Sequence, residues 1–321
     1  MTPITIALDW TPNPIHAGFY VAQANNWFAE AGLDVTFLSP EDDDYKKMPA
    51  DKVADGEAMF GICPSEFVIK SHYLGGGGKL VAVAAILQSS ASAFVTLQDS
   101  GISRPRQLDD HKYAFLGLPF EQIVLSQMIY MDGGLGVTNN IATQPLQTWQ
   151  QVLQGGAHCT WIFKPVEGVE AEHEGLKINL FDPHEYGIPY GYAPVLVANK
   201  TVLDEQPEAV AKFMKAVARG YHFAAENPDA AAGLLLKTAQ FATQPNKDLL
   251  LKTQKTTSTY YLTKEGHWGA MTAERWQGFI EWIEEQRALV ISQNMPSHLR
   301  GTLQETVFTN KFVEPDKITE V

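Results

Sequence analysis

The sequence predicts an α/β protein organised as two domains, and three observations carry that reading. Short apolar or β-branched runs alternate with helical stretches from the N-terminus to Ala198, the rhythm of repeated strand–helix units. The run Leu80–Leu87 is apolar almost throughout, as expected of a strand covered on both faces. The length of 321 residues suggests about two domains on the usual scale of roughly 100–200 residues each.

The chain opens as a strand, with Ile4, Ile6 and Leu8 alternating with polar or small residues. Pro12 and Pro14 then break the backbone, and Phe19–Phe28 reads as a helix. In an open α/β sheet such strand ends face the ligand crevice. Asp9, Trp10, Asn13 and His16 crowd this one turn. Two readings stand here: a ligand-binding corner, or a core tryptophan beside a capping asparagine. Asp34–Leu38 is the next strand, followed by the acidic turn Glu41–Asp44 and a short helix around Lys46 to Asp55. Ala58–Ile62 is an apolar strand, and Cys63-Pro64-Ser65-Glu66 turns it into a helix reaching about Leu74. Pro64 suits a first helical turn, where a missing N–H costs nothing. The glycines Gly75–Gly78 lack the Lys-Ser/Thr of a phosphate loop and read as a helix terminator.

After Leu80–Leu87, the strand Ala93–Leu97 carries the chain into a second domain, where the rhythm restarts. Tyr113–Leu116 is a strand, Gly117–Glu121 a turn, and Ile123–Met131 a helix. Gln147–Leu153 and Val166–Glu174 read as helices, and His158–Phe163 and Ile178–Phe181 as strands, the former containing Trp161. A loop dense in Tyr, Gly and Pro, Tyr186–Tyr192, precedes the strand Pro194–Ala198, which returns the chain to the first domain. The remainder is mostly helical. Val210, Phe213, Met214, Val217 and Tyr221 form one apolar stripe after Pro207, and Trp276, Phe279, Ile280 and Ile283 form another in a helix capped by Thr272. The expected boundaries are 1–90 plus 197–321 for one lobe and 91–196 for the other.

Composition narrows the function. A net charge of −13 disfavours phosphate backbones and anionic membrane surfaces as partners, so no nucleic acid is expected. No apolar run reaches the roughly 18 residues of a membrane span. No basic and apolar leader precedes the first strand. The expected compartment is therefore the cytoplasm if Met1 is the native start, and the periplasm or cell surface if a signal peptide has been removed. Cys63 and Cys159 read as two buried thiols, and the nine histidines show no paired metal spacing, so no metal is expected. Triad order, HExxH, GxGxxG and P-loop are all missing.

Four strand-end turns hold the candidate binding residues. Trp10 and Trp161 offer stacking faces, Glu66 and Glu121 could accept hydrogen bonds from ring amino groups, and Asn13, His16, Ser65 and Tyr190 supply further polar contacts. Each Glu could equally serve only its own helix start, where an acid is favoured. These residues suit holding a flat, amino-bearing molecule better than covalent chemistry, and no catalytic residue is assigned.

At these motifs, LDWTPNPIHAGFYVAQ, GICPSE, GLPFEQ, WIFKPVEGVEAEHEGL and YGIPYGYAPVLVA, the sequence resembles the periplasmic-binding-protein-like family that handles thiamine pyrimidine precursors. That family includes substrate-binding proteins of pyrimidine-salvage ABC transporters and the fungal thiamine pyrimidine synthase. The resemblance implies a two-lobed type II fold with two crossover strands at the hinge, the ligand between the lobes, and hinge closure on binding. It implies a hydroxymethyl- or aminomethyl-pyrimidine as ligand, no cofactor, and an ABC transporter permease as partner if the protein is secreted. The alternative it implies is a synthase making the pyrimidine of thiamine, which would need pyridoxal phosphate. In the synthase branch a lysine holds that cofactor, and a histidine four residues later is consumed. Aligned on Gly61-Ile62, this chain has Cys63 and Phe67 at those places. The cysteine-rich loop of that branch falls on Pro189–Ala193, and its phosphate loop on Gly117–Gln122, where Pro119 and Glu121 replace the expected features. Without the lysine amine there is no Schiff base.

Overall fold

A computed structural model describes residues 1–73, 80–116, 119–143, 147–238, 246–290 and 307–313. The glycine run Gly75–Gly78 and the loop residues Gly117 and Leu118 lie outside them. Among the described residues ten strands run in chain order: β1 Thr2–Ala7, β2 Leu33–Leu38, β3 Phe60–Cys63, β4 Leu80–Ala85, β5 Ser92–Leu97, β6 Lys112–Phe115, β7 Asn139–Ala142, β8 Cys159–Phe163, β9 Ile178–Phe181 and β10 Val195–Asn199. They form two five-stranded sheets, β2-β1-β3-β10-β4 and β7-β6-β8-β5-β9.

The chain divides into two compact units. The first holds Met1–Ser90, Gly191–Gln277 and the described part of Asn294–Val321; the second holds Ala91–Tyr190 and the described part of Gly278–Gln293. Each unit contains one sheet, and the two sheets have the same plan. In the first, β1 pairs parallel with β2 and β3, while β10 runs antiparallel between β3 and β4. In the second, β6 pairs parallel with β7 and β8, while β5 runs antiparallel between β8 and β9. The antiparallel member is in each case the strand next to a passage between units: β5 opens the second and β10 re-enters the first. β4, antiparallel to its neighbour β10, is buried at every residue.

The strands match the sequence expectation closely, with three local differences. Cys63 ends β3 rather than beginning the turn, because it pairs with Val195 of β10. The helix expected from Ile123 begins at Pro119, where proline's fixed φ suits the first turn. β7 was not expected at all. It is an edge strand of Asn139, Asn140, Ile141 and Ala142, mostly exposed, so it carries no apolar alternation.

The core of the first unit is aromatic. Phe213, on the helix Pro207–Glu226, stacks on Phe60 of β3 at 4.4 Å between ring centroids and on Phe28 at 5.6 Å. That helix crosses the helix Ala17–Ala24 at a pair of glycines. A Cβ placed on Gly220 would lie 1.9 Å from the Gly18 carbonyl oxygen, so the backbones touch and no side chain fits. The segment 307–313 adds to the free edge of β4, with Ala82 N–H donating to Val307 O at 2.9 Å and Thr309 N–H to Ala82 O at 2.9 Å. In the second unit Val95, Ala114, Trp149, Val152, Ala157, Ile162 and Ala171 form the core beneath the sheet. Trp276, Phe279, Ile280 and Ile283 are all buried, as the stripe in that helix implies. Among the described residues no helix is long and apolar enough to cross a membrane.

The glycine crossing gives a direct test. Gly220→Ala must push the two backbones apart and should cost about 3 kcal/mol or more of unfolding free energy, on the scale of core overpacking. Gly233→Ala, in a helix where the added Cβ meets nothing within 4 Å, should instead be neutral or stabilising by up to ~1 kcal/mol. Urea unfolding of the two variants beside the wild type checks both signs.

Candidate functional site

In the first unit the parallel register of Ile6 with Phe60 and Ala7 with Gly61 brings the ends of β1 and β3 out side by side. The turn after β1 is built from its own polar residues. Asn13 caps the single helical turn Pro14–His16, its Oδ1 accepting from Ile15 N–H at 2.9 Å and its Nδ2 donating to Thr11 O at 3.0 Å. His16 is fully enclosed. Its Nδ1 accepts from Asn13 N–H at 3.3 Å, which leaves Nε2 as the protonated nitrogen, donating to Asp9 Oδ1 at 2.8 Å. The side chains of Asn13 and His16 are thus engaged within the turn they shape. Two tyrosines from far along the chain hold that turn down: Tyr261 donates to Pro14 O at 2.6 Å and Tyr221 to Ile15 O at 2.8 Å, both bonds buried.

Trp10, half-buried, stands outside this network. It meets the ring of Tyr45 edge to face, at 6.1 Å between centroids and 70° between planes. After β3, Ser65 and Glu66 begin the helix Ser65–Tyr73, both buried. Ser65 N–H donates to Tyr192 O at 2.9 Å, while the Ser65 hydroxyl has no hydrogen-bond partner among the described residues. Tyr192 is fixed in turn by Arg275, whose guanidinium lies 4.1 Å from the ring centroid and donates to Gln88 O at 2.9 Å and Gly191 O at 2.7 Å.

The second unit has its own cluster. Glu121 sits in the first turn of the helix Pro119–Met131 and accepts a hydrogen bond from the hydroxyl of Tyr113 at 3.1 Å. Tyr113 lies eight residues earlier on β6, fully buried, and burial together with the Glu121 charge pushes its phenol well up, so it stays protonated and keeps the O–H that it donates to Glu121. Trp161 on β8 packs edge-on against Phe94 at 4.7 Å and against Tyr190 at 5.2 Å, and Tyr190 rests on Phe279 at 5.0 Å. Immediately after β8 the chain makes a wide π-helical turn, Lys164–Gly168, a local geometry frequent at functional sites. The turn presents Glu167, a half-buried residue whose carboxyl end is enclosed and accepts from Phe163 N–H at 2.9 Å. Burial pushes that carboxyl up to about 7. Lys164 pairs with Asp182 at 2.7 Å. Burial opposes the charge on Asp182, yet hydrogen bonds from His184 and Lys164 overcome it and hold that carboxyl well below the usual range.

Sequence reasoning did not single out Tyr45, Tyr113 or Glu167. Glu167 had a usable signal, an acid placed after a strand end and before a glycine. Tyr45 and Tyr113 had none, since their partners are set by tertiary packing.

The position aligned with the synthase lysine does not fit pyridoxal phosphate. Cys63 is fully buried in the sheet, and burial together with the Glu66, Asp9 and Asp51 charges pushes its thiol far up, so the site offers a neutral S–H and no amine. Among the described residues no group of three or more His, Cys, Asp or Glu is placed to hold a metal ion.

The two α/β units and their shared strand plan define a two-lobed type II periplasmic-binding-protein fold. The same fold is seen in the alkanesulfonate-binding protein SsuA from Xanthomonas axonopodis pv. citri, with a TM-score of 0.65 and 10% identity over 90% of this chain and 91% of that one. The chain belongs to the NMT1/THI5-like family, whose model matches residues 13–231. It is 28% identical over 290 residues to a formylaminopyrimidine-binding protein of Halalkalibacterium halodurans, covering 88% of this chain and 84% of that protein. It is 25% identical over 245 residues to a 4-amino-5-hydroxymethyl-2-methylpyrimidine phosphate synthase of Aspergillus parasiticus, covering 71% of this chain and 68% of the enzyme.

The raised carboxyl of Glu167 gives a signed pH dependence. Between the ordinary carboxyl value of 4.5 and about 7 the folded protein binds more protons than the unfolded chain. Stability therefore falls as pH rises through that window and levels off above it. Glu167→Gln keeps an acceptor for Phe163 N–H and carries no charge. Its stability should stay flat through the window for this site, so variant and wild type diverge as pH rises from 4.5 to 7, the variant being the more stable at the upper end. Chemical denaturation at a series of pH values reads the difference.

Proposed function

We propose that the protein is a substrate-binding protein for a thiamine pyrimidine precursor, a 4-aminopyrimidine carrying a hydroxymethyl, aminomethyl or formylamino substituent, and serves thiamine salvage or biosynthesis. One observation carries the reading: the likeness to the formylaminopyrimidine-binding relative runs through most of both chains. The chemistry of those clusters supports it. A flat aminopyrimidine needs an aromatic face and a carboxylate that accepts from its amino group. The first unit supplies Trp10 with Ser65 and Glu66, and the second supplies Trp161 and Tyr190 with Glu121 and Glu167. Asn13 and His16 support the first set by holding the turn that presents Trp10. Under this reading the natural partner is an ABC transporter permease, the working place is the periplasm or cell surface, and no cofactor is required.

The synthase relatives supply the second reading, an enzyme that makes the pyrimidine. The buried thiol of Cys63 counts against it, because the residue that would bind pyridoxal phosphate covalently has no amine.

Calorimetric titration with 4-amino-5-hydroxymethyl-2-methylpyrimidine tests the binding reading, and two variants locate the contacts. Trp10→Ala should weaken binding by ~1–3 kcal/mol, the scale of base–aromatic stacking, and leave the melting temperature nearly unchanged. An unchanged affinity with a sharp fall in melting temperature would make Trp10 a packing residue. Glu121→Gln still accepts from Tyr113 but exchanges one acceptor for a donor facing the ligand's own amino group. It should lower affinity by about tenfold or more, since hydrogen bonds to charged groups are worth roughly 1.5–3 kcal/mol. A ring analogue lacking the amino group should bind wild type and variant alike. Equal losses for both ligands would assign Glu121 to the shape of its loop.

A further inference from the structure

We propose that Tyr45 is a ligand-contacting residue of the first unit, its hydroxyl donating a hydrogen bond to an uncharged acceptor atom of the molecule bound against Trp10. The proposal rests on the ring-binding reading of Trp10 given above and adds a specificity residue to it. Three independent features of Tyr45 lead there.

The first is backbone geometry. Asp44 and Tyr45 are consecutive residues with φ of +54° and +58°. Aspartate visits this left-handed region readily, because its short side chain bonds locally, whereas an aromatic residue there is uncommon and strained. The surroundings enforce the conformation: Tyr45 N–H donates to Pro40 O at 2.8 Å, and Lys52 pins Asp43 at 2.8 Å. Backbone strain of this kind persists only where its surroundings over-determine it, and it clusters at ligand clamps.

The second is what the strain places. The tyrosine ring stands edge-on to Trp10, the aromatic face left outside the hydrogen-bonded turn. The third is the hydroxyl itself. It is enclosed, with no hydrogen-bond partner among the described residues. An enclosed phenol O–H without a partner costs free energy, and phenylalanine would pack against Trp10 equally well without that cost. The hydroxyl therefore has a use that packing does not supply.

Charge fixes the chemistry of the partner. Burial, reinforced by the carboxylates of Glu41 and Asp9, keeps the phenol protonated, so it has an O–H to donate toward a ligand. The same carboxylates disfavour an anionic acceptor such as a phosphate ester, which leaves a neutral oxygen or ring nitrogen.

Tyr45→Phe is the test, read by calorimetry and by the melting temperature of the ligand-free protein. The probes are 4-amino-5-hydroxymethyl-2-methylpyrimidine and 4-amino-2,5-dimethylpyrimidine. The expected result is an affinity about three- to tenfold lower for the hydroxymethyl probe, the scale of one neutral hydrogen bond, with the melting temperature unchanged or raised because the unpartnered hydroxyl is gone. A loss confined to that probe places the bond on the substituent oxygen, and an equal loss for both places it on a ring nitrogen; either supports the proposal. An unchanged affinity for both probes overturns it while the binding reading stands. A fall in affinity matched by a fall in melting temperature also overturns it, since Tyr45 would then be structural. Failure of the wild type to bind either pyrimidine overturns the binding reading, and the proposal with it.

Discussion

The first unit depends on how one proline turn is held. Between β1 and the first helix the chain must reverse through two prolines, and neither can donate a backbone hydrogen bond. The carbonyls of Pro14 and Ile15 are buried there, and the local chain supplies Pro14 O with only one donor, the N–H of Ala17. Tyr261 adds a second donor to Pro14 O and Tyr221 donates to Ile15 O, from 247 and 206 residues downstream. The Asp9–His16 pair and the Asn13 cap satisfy the rest of the turn, and the Gly18–Gly220 crossing seats the helix that follows it. Trp10 is thereby presented by a loop whose polar groups are internally occupied. A ring platform on such a loop loses little conformational entropy when a ligand settles on it.

The two sheets reach the same plan from opposite ends of a passage. In each, a strand fresh from the crossing inserts antiparallel between the third and fourth strands of an otherwise parallel sheet. The parallel strands all end at one edge, where the helix starts gather, and both candidate clusters follow from that geometry. Ser65 and Glu66 begin a helix after β3, and Glu121 lies in the first turn after β6. An acid in a first helical turn is favoured by the local dipole whatever else it does. In Glu121 the hydroxyl of Tyr113 adds an orientation that a helix start alone does not need.

What the sequence made legible follows from what is local. The helix Pro207–Glu226 could be read from its stripe because Val210, Phe213, Met214, Val217 and Tyr221 repeat at helical spacing. The hydroxyl of Tyr221 could not be read, because its acceptor is set by tertiary packing. Strand β4 was plain because both its faces are buried, and β7 was hidden because an exposed edge strand of asparagines has no apolar pattern. The strand-end turns were located from their prolines and acids, but the division of labour within them was not. Asn13 and His16 have the residue types of ligand contacts and are engaged in the turn. Tyr45 sits behind an acidic run that reads as a solvated loop, and only the positive φ and the enclosed hydroxyl distinguish it.

Cys63 stands where the resemblance to the synthase branch would place a lysine, and its surroundings decide what that position can do. It closes β3 at the mouth of the Ser65 turn, and the carboxylates of Glu66, Asp9 and Asp51 all bear on it. A nucleophile there would need to be charged or deprotonated at working pH. Burial and three negative neighbours drive the thiol the other way, so the position contributes volume and an apolar contact and nothing reactive. Carboxylates at the strand ends favour a molecule that donates hydrogen bonds and carries no negative charge, and an aminopyrimidine without a phosphate is such a molecule.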